Sequence, residues 1–156
     1  MEIKDIAQKV LDSSAFDSWN NKDNYLVSCF FMNSVWSVDF YSKKTKKVTS
    51  FLVEDEVKLS DEDKVFQREE NDLEELKLDE VKVSLDSVLD IISSIKEKES
   101  GSEVQQKIVI LQKIKFPLWN VTLILKDFNL FNIKVNATNG EVIEKELAPV
   151  FNFRTK

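Results

Sequence analysis

An α+β fold, built as two tandem units that each pack one helix on a small antiparallel sheet, is the architecture this sequence predicts. Three observations carry the prediction. Apolar residues recur at helical spacing in two separate stretches, 3–11 and 85–95. Each stretch is followed by runs that alternate with a period of two. In each half one such run opens with tryptophan, Trp36-Ser-Val-Asp-Phe and Trp119-Asn-Val-Thr-Leu, and a polar hairpin follows. The shared order reads as a tandem repeat, with a first unit at 1–54, an acidic connection at 55–80, a second unit at 81–150 and a tail at 151–156.

The first helix follows from Ile3, Ile6, Ala7, Val10 and Leu11, a single stripe with Lys4, Asp5, Gln8 and Lys9 on the other face. It is expected to fade near Ser13-Ser14, ahead of a polar turn at 20–24. Residues 25–32, Tyr-Leu-Val-Ser-Cys-Phe-Phe-Met, are too apolar for a surface strand and belong in the centre of a sheet. Asn33-Ser34 turns the chain into Trp36, Val38 and Phe40, which alternate with Ser37, Asp39 and Tyr41. A charged hairpin, Lys43 to Lys47, leads to a third strand at 48–53. Within the acidic connection, Leu73, Leu76 and Leu78 are candidate anchors, and Val65-Phe66 a short strand or a docking pair.

The second helix is better marked. Ser84 is a good N-cap, Val83 and Val88 fit a hydrophobic staple, and Asp86 lies where the helix dipole favours an anion. Leu85, Val88, Leu89, Ile92 and Ile95 form its stripe. Four strands follow, at about 104–114, 118–125, 130–137 and 141–147. Asn139-Gly140 predicts a two-residue type I′ hairpin, which needs positive φ at both central positions.

Composition narrows the chemistry. The 156 residues are 42% hydrophobic and hold eleven phenylalanines, enough for a packed core in one domain or two small ones. There is no histidine, which excludes Ser-His-Asp and Cys-His nucleophiles and His-ligated metals; one cysteine excludes a Cys₄ site. The expectation is a non-enzyme without metal or cofactor. No stretch approaches the roughly 20 apolar residues of a membrane span, and Met1-Glu2-Ile3-Lys4-Asp5 does not resemble an export signal. A cytoplasmic location is expected, and the lone Cys29 suits a reducing compartment. The net charge of −6 argues against nucleic acid as a partner. That charge is local: residues 54–80 hold thirteen acids and four bases, a net −9, which leaves the rest at +3.

Each candidate site has a plain structural alternative. Asp39 is the best single acid/base candidate, against a residue on the wetter face of its strand, which the burial habit of charged residues favours. Cys29 among Val27, Phe30 and Phe31 reads as a small buried hydrophobe rather than a reactive thiol. The acidic stretch lacks the glycine and spacing of a calcium loop. It is expected to attract a basic protein surface instead, through Glu69, Glu70, Asp72, Glu74 and Glu75. The lysines at 43–47 would contact phosphate or an acidic surface, this chain's own acidic segment included, against a solvated hairpin tip. Phe151 and Phe153, beyond Pro149, would extend the sheet edge or form a sticky tail that binds a partner. Two glycosylation-like triplets, at Asn120 and Asn136, lie on or at the ends of strands and carry no expectation.

Three segments of the second half have a familiar look: Ser84-Leu-Asp-Ser-Val-Leu-Asp-Ile, Leu118-Trp-Asn-Val-Thr-Leu, and Ile133-Lys-Val-Asn-Ala-Thr-Asn-Gly-Glu-Val142. Over about 84–147 they resemble a PepSY domain, and residues 2–54 resemble a second, weaker copy. The sequence departs from the family at Asn136, where an aspartate is usual, and at Val88, where an alanine is usual. The resemblance implies a non-enzymatic binding or regulatory module.

Two functions are expected in consequence. The first is a protein-binding module that offers strand faces or edges to another protein, with a homodimer allowed. The second is a small-molecule or lipid carrier or sensor, with an apolar pocket between helix and sheet.

Overall fold

Nine antiparallel strands share a single sheet in the computed structural model, which describes residues 2–19, 23–60, 64–65 and 72–152. The first half supplies α1 (Ile3–Leu11), α2 (Ser14–Trp19), β1 (Tyr25–Met32), β2 (Val35–Ser42), β3 (Lys47–Val53), β4 (Val57–Leu59) and β5 (Lys64–Val65). The second supplies α3 (Leu85–Glu99), β6 (Val104–Ile114), β7 (Phe116–Leu125), β8 (Asn129–Asn136) and β9 (Val142–Pro149). The strand order is β4-β3-β2-β1-β6-β7-β8-β9, with β5 also on β3.

This order corrects the expected α+β arrangement of two tandem helix-on-sheet units. The fold is sheet-dominated and its sheet is continuous. The joint is β1 on β6, where Ser28–Phe31 pair with Val109–Gln112. The physical cause lies in β1 itself. A strand apolar on both faces gains most when both of its edges are paired as well, and β2 satisfies only one of them. Among the described residues the halves also differ in content, two α-helices and five strands against one α-helix and four strands, so the tandem repeat is corrected with the fold.

The helices cover one face of the sheet. α1 lies against β2 and β3, and α3 against β8. Between helices and sheet sit Ile6 and Val10 of α1, Val88 and Ile92 of α3, and Phe51, Trp119, Phe131 and Ile133 of the sheet, all at most 2% exposed. Trp119 is oriented by its indole N–H, which donates to the Val83 carbonyl at 3.0 Å. α2, absent from the sequence expectation, seats Phe16 and Trp19 against Phe40 and Phe51, with ring centroids 5.1 to 6.1 Å apart. The Ser13 hydroxyl helps to start it by accepting the Phe16 N–H at 3.2 Å.

Two turns exchange roles relative to expectation. Asn33 and Ser34 both have positive φ, 54° and 65°, and form the tight β1–β2 hairpin. At the β8–β9 hairpin only Gly140 has positive φ, so a type I′ turn is excluded. The loop is wider because Ala137 is already engaged: its N–H donates to Pro117, and its carbonyl accepts from Lys82 and Val83.

Candidate functional site

Of the acidic connection, β4 and β5 pair with β3, and residues 72–80 form a strap that crosses the end of the sheet. Leu76 is 1% exposed within the helix-side core, and its N–H donates to the Leu26 carbonyl at 2.8 Å. Leu73 packs on the opposite face, against the cluster of Val27, Tyr41 and Val48. All three leucines proposed as anchors contact core clusters, Leu78 included. β5 at Lys64–Val65 pairs with Val48 and Lys47, while Phe66 lies outside the described residues.

Several acids of the strap meet groups of the protein itself. Asp72 accepts from the Tyr41 hydroxyl at 2.8 Å and forms an ion pair with Lys46. Those two hydrogen bonds hold its carboxyl below the usual range. Burial, the hydrogen bond to Asp72 and its charge push Tyr41 up to about 12. Burial raises Tyr25 as well, with Asp72 adding to the effect. Glu74 accepts the Lys115 N–H at 3.2 Å, Glu80 lies 3.6 Å from Lys113, and Asp79 lies 3.6 Å from Lys4. Of the acids proposed to meet a partner, Asp72 and Glu74 are thus engaged internally and Glu75 is exposed. Glu69 and Glu70 lie outside the described residues. In the lysine hairpin, Lys46 meets the protein's own acidic segment and Lys43 lies 5.8 Å over the Tyr25 ring.

The remaining candidates are packed or paired. Asp39 is 7% exposed, and its carboxylate accepts from Ser28 and Ser37, each at 2.7 Å. Its two oxygens therefore serve to satisfy strand hydroxyls. Cys29 is fully buried, and burial raises its thiol pKa further from the reactive range. Asn120 accepts from Asn132 at 2.7 Å, and Asn136 accepts the Thr138 N–H at 2.8 Å. Among the described residues no cluster of three or more Asp, Glu or Cys side chains is placed to hold a metal. A surface cleft lies between α1 and the β2–β3 strands, lined by Ile6, Trp36 and Val53 together with Lys9, Glu54 and Asp55.

Leu11, Leu59, Val104 and Ile114 are exposed singly, while Phe128, Ile143, Leu147, Val150 and Phe151 are exposed on or beside β9. No described strand pairs with its outer edge, and Ile143 to Leu147 are exposed in succession. At the end of this edge Phe128 is 79% exposed and Phe151 is 86% exposed. The Val150 N–H donates to the Phe128 carbonyl at 2.8 Å and ties the two phenylalanines into one corner. Phe153 lies outside the described residues. Phe151 was a sequence candidate; Phe128, Ile143 and Leu147 were not. The missed signal is the pattern Glu144-Lys145-Glu146 followed by Pro149, since charge and proline mark a strand with an open edge.

No protein-family model matches this chain, and no curated protein matches it either. Among solved structures it is similar to the crystal structure of a candidate lipoprotein from Clostridium difficile 630, with a TM-score of 0.57 and 19% identity. The match covers 85% of this chain and 86% of that one, so it spans both halves of the sheet. At this identity the likeness is one of fold. Among the described residues no helix is long and apolar enough to cross a membrane.

Proposed function

We propose that this protein is a non-enzymatic protein-binding module that takes up an extended segment of another protein along β9. One observation carries the reading: among the described residues no strand pairs with the outer edge of β9, and Phe128 and Phe151 stand exposed at its end. An open antiparallel edge offers main-chain donors and acceptors that an added strand satisfies, and flanking apolar side chains add contact area. The PepSY resemblance of 84–147 supports the same class of function. A carrier would need an apolar pocket between helix and sheet; the cleft between α1 and the β2–β3 strands has Ile6, Trp36 and Val53 in its lining beside the charged Lys9, Glu54 and Asp55.

The test compares capture from native lysate by the tagged protein and by Lys145→Pro, which removes an N–H from the middle of the edge. The expected result is a near-stoichiometric partner held by the native chain and lost by a variant with an unchanged melting temperature. A partner retained equally by both proteins overturns the edge reading.

A further inference from the structure

The direction in which each β9 residue points follows from its pairing. Leu130 pairs with Ala148, and beyond that pair the Val150 N–H donates to the Phe128 carbonyl. Main-chain groups alternate along a strand, so Ala148, Glu146 and Glu144 turn theirs toward β8 while Leu147 and Lys145 turn theirs outward. Pro149, which has no N–H to offer, falls in the outward set, where a proline is tolerated.

Side chains sort separately. Lys145 and Leu147 sit opposite Ile133 and Phe131, on the helix side of the sheet. Glu144 and Glu146 sit opposite Lys134 and Asn132, on the other side. Glu144 shares Lys134 at 3.5 Å, Lys145 meets Glu99 at 2.8 Å, and Glu146 has no ion pair among the described residues.

We infer that the edge selects a strand reading apolar-basic-acidic-basic, laid antiparallel so that its two basic side chains face Glu146 and Glu144. This rests on the proposed strand addition at β9. Residues opposite Lys145 and Leu147 make the hydrogen-bonded pairs. Those opposite Glu144 and Glu146 fall in the non-hydrogen-bonded pairs, where side chains approach more closely. Charge is therefore read most strongly at the two glutamates. The acidic residue of the partner meets Lys145, and its apolar residue meets Leu147.

The same geometry disfavours a second copy of this chain in the registers centred on Glu144 to Leu147. A two-fold axis centred on Lys145 sets that lysine against itself and Glu144 against Glu146 twice. Centring on Glu144 or Glu146 opposes like glutamates. Centring on Leu147 sets Pro149 against Lys145 and loses a ladder bond. Like charges placed directly opposite destabilise a strand pair.

The test titrates the ¹⁵N-labelled protein with the blocked peptide Ser-Val-Lys-Glu-Lys-Val-Ser and with its charge-reversed partner Ser-Val-Glu-Lys-Glu-Val-Ser. The expected result is displacement of the Lys145 and Leu147 amide signals by the first peptide, with affinity about tenfold or more above the second. The double variant Glu144→Lys, Glu146→Lys should reverse the preference. Equal affinity for both peptides overturns the charge selection, and strand addition itself is then judged by the Lys145→Pro capture. Failure of the first peptide to move either amide also overturns the inference. A concentration-dependent dimer that Lys145→Pro abolishes overturns the exclusion of a second copy.

Discussion

At the scale of single residues, the strap corner is where chemistry and stability meet. Asp72 holds Tyr41 and Lys46 together, and each bond has its own pH signature. The Tyr41 pKa is raised in the folded chain, to about 12 from an unperturbed 10.0. The unfolded chain therefore loses this proton first. The contribution is complete below pH 10 and is lost as pH climbs toward 12. Asp72 has the opposite sign: its contribution is present above its unfolded value, 3.8, and fades as pH falls through the depressed folded value. Thermal unfolding followed between pH 8 and 12 should show a decline above pH 10 that Tyr41→Phe flattens. An unchanged alkaline slope in that variant would remove Tyr41 from the corner. At neutral pH the same variant should cost about 1 kcal/mol, the scale of one hydrogen bond. Leu76→Ala should cost about 3 kcal/mol in a denaturant titration, because Leu76 is 1% exposed. A cost near zero would show that the strap is not docked on the core. The anchoring leucines were legible because they are apolar residues in an acidic run. The Tyr41–Asp72 bond was not, since 31 residues separate its members and neither carries a local signature.

At the scale of elements, most strands were legible, α2 and β4 were missed, and the β8–β9 turn was misread. Strict alternation marked β2 and β8, and apolar density marked β1. α2 was missed because six residues are too few for a helical period to show, although Ala15, Phe16 and Trp19 have the right spacing. Its aromatic seat gives a direct check. Phe16→Ala should lower stability by about 2 kcal/mol, somewhat less than for a fully buried phenylalanine. A loss under 0.5 kcal/mol, within the range of ordinary surface substitutions, would show that α2 is not held in place. The β8–β9 hairpin was misread for another reason. Asn139-Gly140 is a strong local signal, but Ala137 is claimed by Pro117, Lys82 and Val83, and tertiary bonds widened the loop. The β9 edge was read only as a strand. Which edges stay unpaired depends on the order of the whole sheet, and nothing local in 142–149 states it.

At the scale of the whole molecule, the central finding is the β1–β6 joint that makes two expected units into one sheet. Its legibility was partial: β1 was recognisably a central strand, yet the partner on its second edge lies some 80 residues downstream. Cys29 reports on this joint, since it sits between Val38 and Leu111 and is fully buried. Its reaction with a thiol reagent in rising urea should follow the loss of circular dichroism in one transition. Labelling well before that loss would mean that the halves separate independently.

Hydrogen exchange of the β9 amides, with and without the captured partner, tests the binding account most directly. Lys145 and Leu147 should exchange rapidly in the isolated protein, because no described strand covers them, and slow markedly in the complex. Fast exchange at both positions in a saturated complex, with protection elsewhere, would contradict strand addition at β9.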